Sequence, residues 1–241
     1  MISKKITFSA TASYLEQKDN YPEPCKLNIP EWYKEIEHSP EFLTVKGCMP
    51  FLDTLTSGYL LKIPVDLYLE HNQYSKEGRY TTMNSNVRDI NIPLNINRSK
   101  SESIHPPEQL GKCPFNQKNQ NLPFQKIINP WIIKTPPGYS CLFLPPMNNS
   151  DDRFSIIPGI VDTDTFESEV NFPIIINGDK YPTLTTVIKK GTPYVQVIPF
   201  KRDSWKMEIT NNENYNERLF FESFTLIHTY KTRWWNKKSW K

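Results

Sequence analysis

The sequence predicts a mainly β protein with one principal domain. Its 241 residues include 21 prolines but only 8 glycines, and proline is excluded from helix interiors and from central positions of sheets. Aromatic residues make up 13% of the chain, which suits a core of short strands built on Phe, Tyr and Trp. Apolar and polar residues alternate repeatedly between residues 126 and 200, as they do in half-buried strands.

Residues 1–41 are expected to form an N-terminal arm that ends in a short helix near residues 30–38. Pro30 followed by Glu31 is typical of the first turn of a helix. Proline has no N–H to leave unpaired there, and an acidic side chain suits the positive end of the helix.

A β-rich core is predicted over residues 42–206. Residues 42–70 alternate between apolar and polar side chains on either side of a turn at Thr56–Gly58, which predicts strands on both sides. Residues 71–103 are polar and rich in Asn and Ser, so they form either an insertion loop or a pair of edge strands. Residues 104–124 contain several prolines and are expected to be irregular.

The strongest strand signals lie between residues 126 and 200. The sequence Pro136–Gly138 predicts a turn between two strands, and Pro158–Gly159 interrupts the strand that follows. Asn177–Gly178 is a turn signal between the last two apolar runs.

Residues 207–241 are predicted to contain an amphipathic C-terminal helix and a Trp- and Lys-rich tail. The apolar residues of the helix recur at spacings of three and four; they are Tyr215, Leu219, Phe220, Phe224, Ile227 and Tyr230. A strand is the alternative, because residues 218–230 are also rich in β-formers.

Composition narrows the range of functions. The net charge of +3 is too balanced for nucleic-acid binding by the bulk of the chain. No phosphate-binding loop or dinucleotide fingerprint occurs, and none of the four cysteines belongs to a CxxC pair. We therefore expect reduced thiols, no cofactor and no metal. The N-terminus lacks the apolar stretch of a signal peptide, and no run of about 18 apolar residues occurs, so a cytoplasmic protein away from membranes is expected.

Three motifs between residues 130 and 200 follow one another in the order and spacing of a known superfamily. They are the turn Pro137–Tyr139, the Asp-x-Asp element Gly159–Asp164 and the strand Gly191–Ile198. This region resembles the core of the dUTPase and dCTP-deaminase superfamily. The resemblance implies a β-clip, which is a distorted barrel of short strands that usually assembles as a trimer. The whole chain also resembles an uncharacterised family of bacteriophage and bacterial proteins.

The same resemblance argues against the activity of that superfamily. Asp162 matches the acid that positions the attacking water, but Thr165 stands where an aromatic ring would stack on the deoxyribose. The phosphate-binding turn, usually rich in Arg and Ser, reads Pro145–Ser150 here. Prolines have no N–H to donate to a phosphate, and this turn has no arginine. The C-terminal residues are rich in Trp and Lys rather than in the Gly of a nucleotide-closing arm.

Asp162 and Asp164 are the candidate ligand-binding residues, together with Gln196 of the third motif. If the protein has catalytic residues, they are these two acids. Alternate residues on a strand point to the same face, so the two carboxylates would converge on a sugar or a metal. In the alternative, each acid caps backbone N–H groups at a strand end. No catalytic dyad follows from the dispersed histidines His38, His71, His105 and His228.

The basic and aromatic tail is the candidate interaction surface. Its members are Arg233, Trp234, Trp235, Lys237, Lys238 and Trp240. Trp and Arg dominate the hot spots of protein interfaces, while aromatic rings and cations also stack on bases. A protein partner and packing of the indoles on the protein itself both remain open, and nucleic acid is disfavoured.

We therefore expect a non-enzymatic binding or structural protein with a catalytically degenerate dUTPase-like fold. It would be a homotrimer, and a phage accessory or virion component if a phage encodes it. The alternative is a nucleotide-binding or nucleotide-hydrolysing enzyme with a remodelled site at Asp162. A cupin-like oxygenase or isomerase is disfavoured, because its metal would need histidines close together.

Overall fold

A computed structural model describes residues 4–39, 41–85, 104–211 and 230–241. The chain divides into two compact units, and each of them is discontinuous in sequence. Unit 1 comprises Met1–Glu23 and Gly58–Lys201, and unit 2 comprises Pro24–Ser57 and Arg202–Lys241. The sequence-based boundaries after residues 41 and 206 separate consecutive stretches of chain, and they stay a prediction.

The described part of the chain is mainly β, as the prolines and the alternating pattern predicted. Its strands are β1 Thr7–Ser9, β2 Glu23–Pro24, β3 Tyr59–Lys62, β4 Leu67–Asn72, β5 Tyr80–Ser85, β6 Ile104–His105, β7 Phe124–Ile127, β8 Ile132–Lys134, β9 Tyr139–Leu144, β10 Phe154–Ile156, β11 Gly159–Val161, β12 Phe172–Ile176, β13 Thr183–Ile188 and β14 Pro193–Lys201. They form four sheets with the orders β1-β8, β10-β12-β7-β6, β11-β9-β14-β3-β2 and β13-β4-β5.

Four short α-helices accompany these strands in the described residues. They are α1 Ala12–Leu15, α2 Glu31–Glu35, α3 Met49–Thr56 and α4 Pro114–Lys118. Helix α2 confirms the helix predicted near residues 30–38, and it begins directly after Pro30. The region expected to be irregular contains α4, β6 and a 3₁₀ turn at Pro107–Leu110.

The strand predicted in the first part of residues 42–70 is wrong. Val45–Gly47 form a 3₁₀ turn, and α3 follows it. Pro50 lies in the first turn of α3, where the helix needs no N–H. Met49 and Leu55 are the buried side chains of this helix. Strand β3 begins only after Gly58, so the predicted turn joins a helix to a strand.

The polar region from residue 71 is partly an edge strand. Strands β4 and β5 pair antiparallel over their whole length, from Leu67 opposite Ser85 to Asn72 opposite Tyr80. Strand β5 is an edge of its sheet. Residues 86–103 lie outside the described residues, so the rest of this prediction does too.

The strands predicted between residues 126 and 200 are confirmed. The turn at Pro136–Gly138 joins β8 to β9, and Pro158 separates β10 from β11. At Asn177 the chain turns, because the N–H of Lys180 donates to the carbonyl of Asn177 at 3.1 Å. This turn is not a hairpin, because β12 and β13 belong to different sheets.

The core of unit 1 is aromatic and β-branched. The rings of Phe143 and Phe172 lie 5.4 Å apart, and the ring of Tyr194 meets that of Phe172 edge-on at 5.7 Å. Ile174 and Val195 complete this layer, and all five side chains are buried. Each buried side chain of this size stabilises the fold by roughly 1.5–3 kcal/mol.

Unit 2 has its own aromatic cluster and a long segment without regular structure. Trp32 and Tyr33 of α2 both contact Phe51 of α3, with Tyr33 stacked on it at 5.9 Å. Residues 202–211 belong to no helix or strand, and Tyr230–Trp234 form a single π-helical turn. The predicted C-terminal amphipathic helix falls mainly on residues 212–229, outside the described residues. No helix in the described part has the length and apolar character that crossing a membrane requires.

Candidate functional site

Asp162 and Asp164 lie in a tight turn directly after β11. The N–H groups of Thr165 and Phe166 both donate to the carbonyl of Asp162, at 3.1 and 2.9 Å. Thr163 between the two acids is fully buried, while Asp162 is exposed and Asp164 is half-buried. The acids therefore flank a buried threonine in a turn, and they do not follow one another along a continuous strand.

Both carboxylates accept hydrogen bonds from the neighbouring strand β9 and the turn before it. The hydroxyl of Ser140 donates to Oδ1 of Asp162 at 2.6 Å. The N–H of Gly138 donates to Oδ2 of Asp164 at 2.8 Å. These bonds join the turn after β11 to the start of β9, and the bond to Asp164 is the backbone cap expected in the alternative interpretation. A ligand-binding role for either acid stays a prediction.

Thr163 connects this turn to the interior of unit 1. Its hydroxyl lies 2.7 Å from that of Thr135 and donates to Sγ of Cys141 at 3.3 Å. Burial raises the pKa of the Cys141 thiol to about 11, although the hydrogen bond from Thr163 lowers it. The thiol is therefore protonated at neutral pH, and only a thiolate is a good nucleophile.

The loop Pro145–Ser150 after β9 has few N–H groups to offer a phosphate. Pro145 and Pro146 have none, the N–H of Met147 donates to Oε1 of Gln196 at 2.8 Å, and that of Asn149 donates to the carbonyl of Pro146 at 3.2 Å. Gln196 is buried in β14 with 2% of its surface exposed. Its described contact thus supports the loop from inside, and its role in ligand binding stays a prediction.

Arg153 follows this loop, but its guanidinium is bound to Asp151 and Thr186. Its Nη2 lies 2.6 Å from Oδ2 of Asp151, and its Nη1 donates to the hydroxyl of Thr186 at 2.6 Å. The bond to Asp151 raises the pKa of the guanidinium. Asp151 is thus not a solvated loop residue, as its position beside Asn149 and Ser150 would predict, because only 15% of its side chain is exposed. The Asp-x-Arg spacing was the sequence signal for this pair.

Two lysines lie beside Tyr139, the first residue of β9. Lys4 places its Nζ 4.1 Å from the centre of the Tyr139 ring and hydrogen-bonds its hydroxyl. Lys201 stands opposite Tyr139 in the pairing of β14 with β9. Sequence alone does not join these residues, because 135 positions separate Lys4 from Tyr139.

The tail of unit 2 is partly packed on its own unit through Asp53 of α3. Nε1 of Trp235 donates to Oδ2 of Asp53 at 3.0 Å, and Nζ of Lys238 lies 2.5 Å from the same oxygen. Trp235 and Trp240 are half-buried, whereas Trp234 keeps 51% of its surface exposed. Arg233 and Lys237 are exposed. A partner-binding role for the tail stays a prediction.

Comparison with known proteins assigns this chain to no family. No protein-family model matches this sequence, and no curated protein matches it. Within the described residues, no group of three or more His, Cys, Asp or Glu side chains is arranged to hold a metal ion.

Proposed function

We propose that this chain is a non-enzymatic binding protein that self-associates and serves as a structural or accessory component. The observation on which the proposal depends is the engagement of the Asp162 and Asp164 carboxylates with Ser140 and Gly138 of the same fold. A general base must reach the proton of a water or substrate. Oδ1 of Asp162 and Oδ2 of Asp164 accept hydrogen bonds that stabilise a turn, which supports a structural role for both acids.

The charge around the neighbouring loop supports the same proposal. A triphosphate requires several cations and backbone N–H donors directed at its oxygens. In the loop after β9, the N–H groups of Met147 and Asn149 already have acceptors. The guanidinium of Arg153 is paired with Asp151. A bound triphosphate would have to break these contacts.

The β-clip and the trimer belong to this proposal as its finer parts. Strand β9 pairs with β11 on one side and with β14 on the other. The three motifs of the superfamily thus come together in one five-stranded sheet. This adjacency supports a dUTPase-like arrangement whose catalytic groups have been replaced.

The nucleotide enzyme is the competing function, and one observation favours it. Lys4 and Lys201 both neighbour Tyr139, and Gly138 next to it bonds Asp164. If these lysines turned toward an anion, they would supply cations that the Pro145–Ser150 loop lacks.

Thermal denaturation with a panel of deoxynucleoside triphosphates, with and without Mg²⁺, distinguishes the two functions. A ligand at a hundred times its Kd would add about 2.7 kcal/mol, which raises the Tm of a protein of this size by roughly 5–10 °C. We expect no shift and no release of phosphate or pyrophosphate.

Asp162→Asn makes the same experiment specific to the site. The matched control is Asp179→Asn, which removes a carboxylate that accepts a hydrogen bond from Gln120 on the surface. A Mg²⁺-dependent shift that disappears in Asp162→Asn and persists in Asp179→Asn would refute the non-enzymatic function. Light scattering after size-exclusion chromatography tests self-association, and a monomer at micromolar concentration contradicts it.

A further inference from the structure

The segment that directly follows β14 exposes large apolar side chains to solvent. Trp205, Met207 and Ile209 have 91%, 83% and 86% of their surfaces exposed. Residues 204–210, here called the arm, belong to no helix or strand. Large apolar side chains that are exposed together mark interaction surfaces more often than isolated ones do.

The arm has the residue pattern of a β-strand. Its three apolar residues alternate with Lys206 and Glu208. In an extended chain, successive side chains point to opposite faces, so the arm would present one apolar and one charged face. A strand with this pattern presents a row of backbone N–H and C=O groups with which a second strand can pair.

The sequence of the arm is complementary to itself in one antiparallel register. When Met207 stands opposite Met207 of a second copy, Lys206 stands opposite Glu208 and Trp205 stands opposite Ile209. Ser204 then stands opposite Thr210. Opposite charges, aromatic with β-branched residues, and hydroxyl with hydroxyl are the cross-strand pairs that stabilise sheets.

Neighbouring registers lose this complementarity. A shift of the centre to Lys206 or to Glu208 places a like charge opposite itself. A shift of the centre by half a residue toward Lys206 places Trp205 opposite Glu208, and the same shift toward Glu208 places Ile209 opposite Lys206, so either shift mixes the two faces.

We propose that the arm pairs antiparallel with the arm of a second copy of this chain, about a twofold axis at Met207. The proposal rests on the self-association proposed above and names the contact that produces it. A different protein would need the reverse order of charge and apolar residues to fit equally well, whereas a second copy supplies that order automatically. Pairing through the arm would double the number of chains in any oligomer that unit 1 forms.

Charge reversal tests the register. Lys206→Glu and Glu208→Lys each place two pairs of like charges in the ribbon, and the double variant restores two opposite pairs. Sedimentation velocity on the full chain should show about tenfold weaker association or more for each single variant, and recovery for the double variant. Because the residues are exposed, these changes should leave the melting temperature of the monomer unchanged. A double variant that stays dissociated refutes the proposal.

Disulfide trapping provides a second readout. In a background with Cys48→Ser and Cys113→Ser, Met207→Cys places two thiols opposite one another at a Cβ separation of about 4.5–5.5 Å, and oxidation should yield a covalent dimer. Ser204→Cys is the matched control, because six residue positions, about 20 Å, would separate its thiol from that of the second copy. Equal crosslinking of the two variants overturns the register.

The outcomes separate this proposal from the proposed function. A wild-type chain that is monomeric at micromolar concentration removes both. A wild-type oligomer whose mass responds to neither charge variant, and which Met207→Cys does not crosslink, removes the arm pairing and leaves self-association in place.

Discussion

Gly58 should be one of the least replaceable residues of unit 1. Its φ of +76° lies in the left-handed region, which L side chains rarely adopt. A Cβ at this position would lie 2.1 Å from the carbonyl oxygen of Val197 and 3.2 Å from Cγ1 of Ile198. Val197 is held in the sheet, because it pairs with Tyr59 on β3 and Phe143 on β9.

The effect of Gly58→Ala has two additive parts. The left-handed backbone destabilises alanine by about 1–2 kcal/mol, and overpacking against a fixed carbonyl adds about 1–3 kcal/mol. The free energy of unfolding should therefore fall by about 2–5 kcal/mol. For a protein of this length, that loss corresponds to a Tm lowered by roughly 4–20 °C.

Gly191→Ala is the control that separates these two parts. Gly191 has a similar φ of +84°, but a Cβ there would meet nothing within 4 Å. Urea denaturation followed by tryptophan fluorescence should show a loss of only about 1–2 kcal/mol for this variant. If the two variants lost the same stability, the close approach of Val197 to Gly58 would have no energetic consequence, and the reasoning would be wrong.

Three further predictions concern buried polar groups. Burial lowers the pKa of His71, so the unfolded chain takes up a proton that the folded protein excludes. Urea unfolding should therefore show the free energy of unfolding falling as the pH drops below about 6.5, by up to about 1.4 kcal/mol per pH unit. This dependence on pH should be weaker in His71→Gln. Burial also raises the pKa of Cys25 to about 12 and that of Cys141 to about 11. A thiol reagent at pH 8 should therefore label the exposed Cys48 in the folded protein and label Cys25 and Cys141 only after unfolding. Equal labelling rates of the three thiols in the folded protein would contradict this prediction. The buried hydroxyl of Tyr194 has no hydrogen-bond partner among the residues that the structure describes. Tyr194→Phe should therefore keep the free energy of unfolding or raise it by up to about 1–3 kcal/mol, and a loss above about 1 kcal/mol in urea denaturation would mean that a partner exists.

Features set by neighbouring residues were predictable from the sequence. The turn at Pro136–Gly138 and the break at Pro158 came from backbone restrictions of proline and glycine, and both occur where predicted. Helix α2 likewise followed from Pro30. Residues 42–51 alternate as in a strand, and Pro50 in the first turn of α3 is the local feature that indicates a helix there.

The contacts of the candidate site were beyond the reach of local patterns. Ser140 and Asp162 are 22 residues apart, and their bond depends on the pairing of β9 with β11. Asp53 and Trp235 are 182 residues apart, and no periodicity connects them. The identity of the two acids was predictable, whereas their partners depend on sheet topology.

The discontinuity of unit 2 has a consequence for how the chain matures. The ribosome synthesises all of unit 1 before Trp235, so the hydrogen bond between Trp235 and Asp53 can form only after the whole β core has been made. Closing a flexible loop of 182 residues would oppose this step by roughly 4–5 kcal/mol. Once unit 1 has folded, however, Gly58 lies against Val197 near the end of β14, so two of the three points at which the sequence of unit 1 is interrupted or ends lie near one another within that unit. The folded β core therefore shortens the loop that remains to be closed, and unit 2 is the last part of the chain to fold.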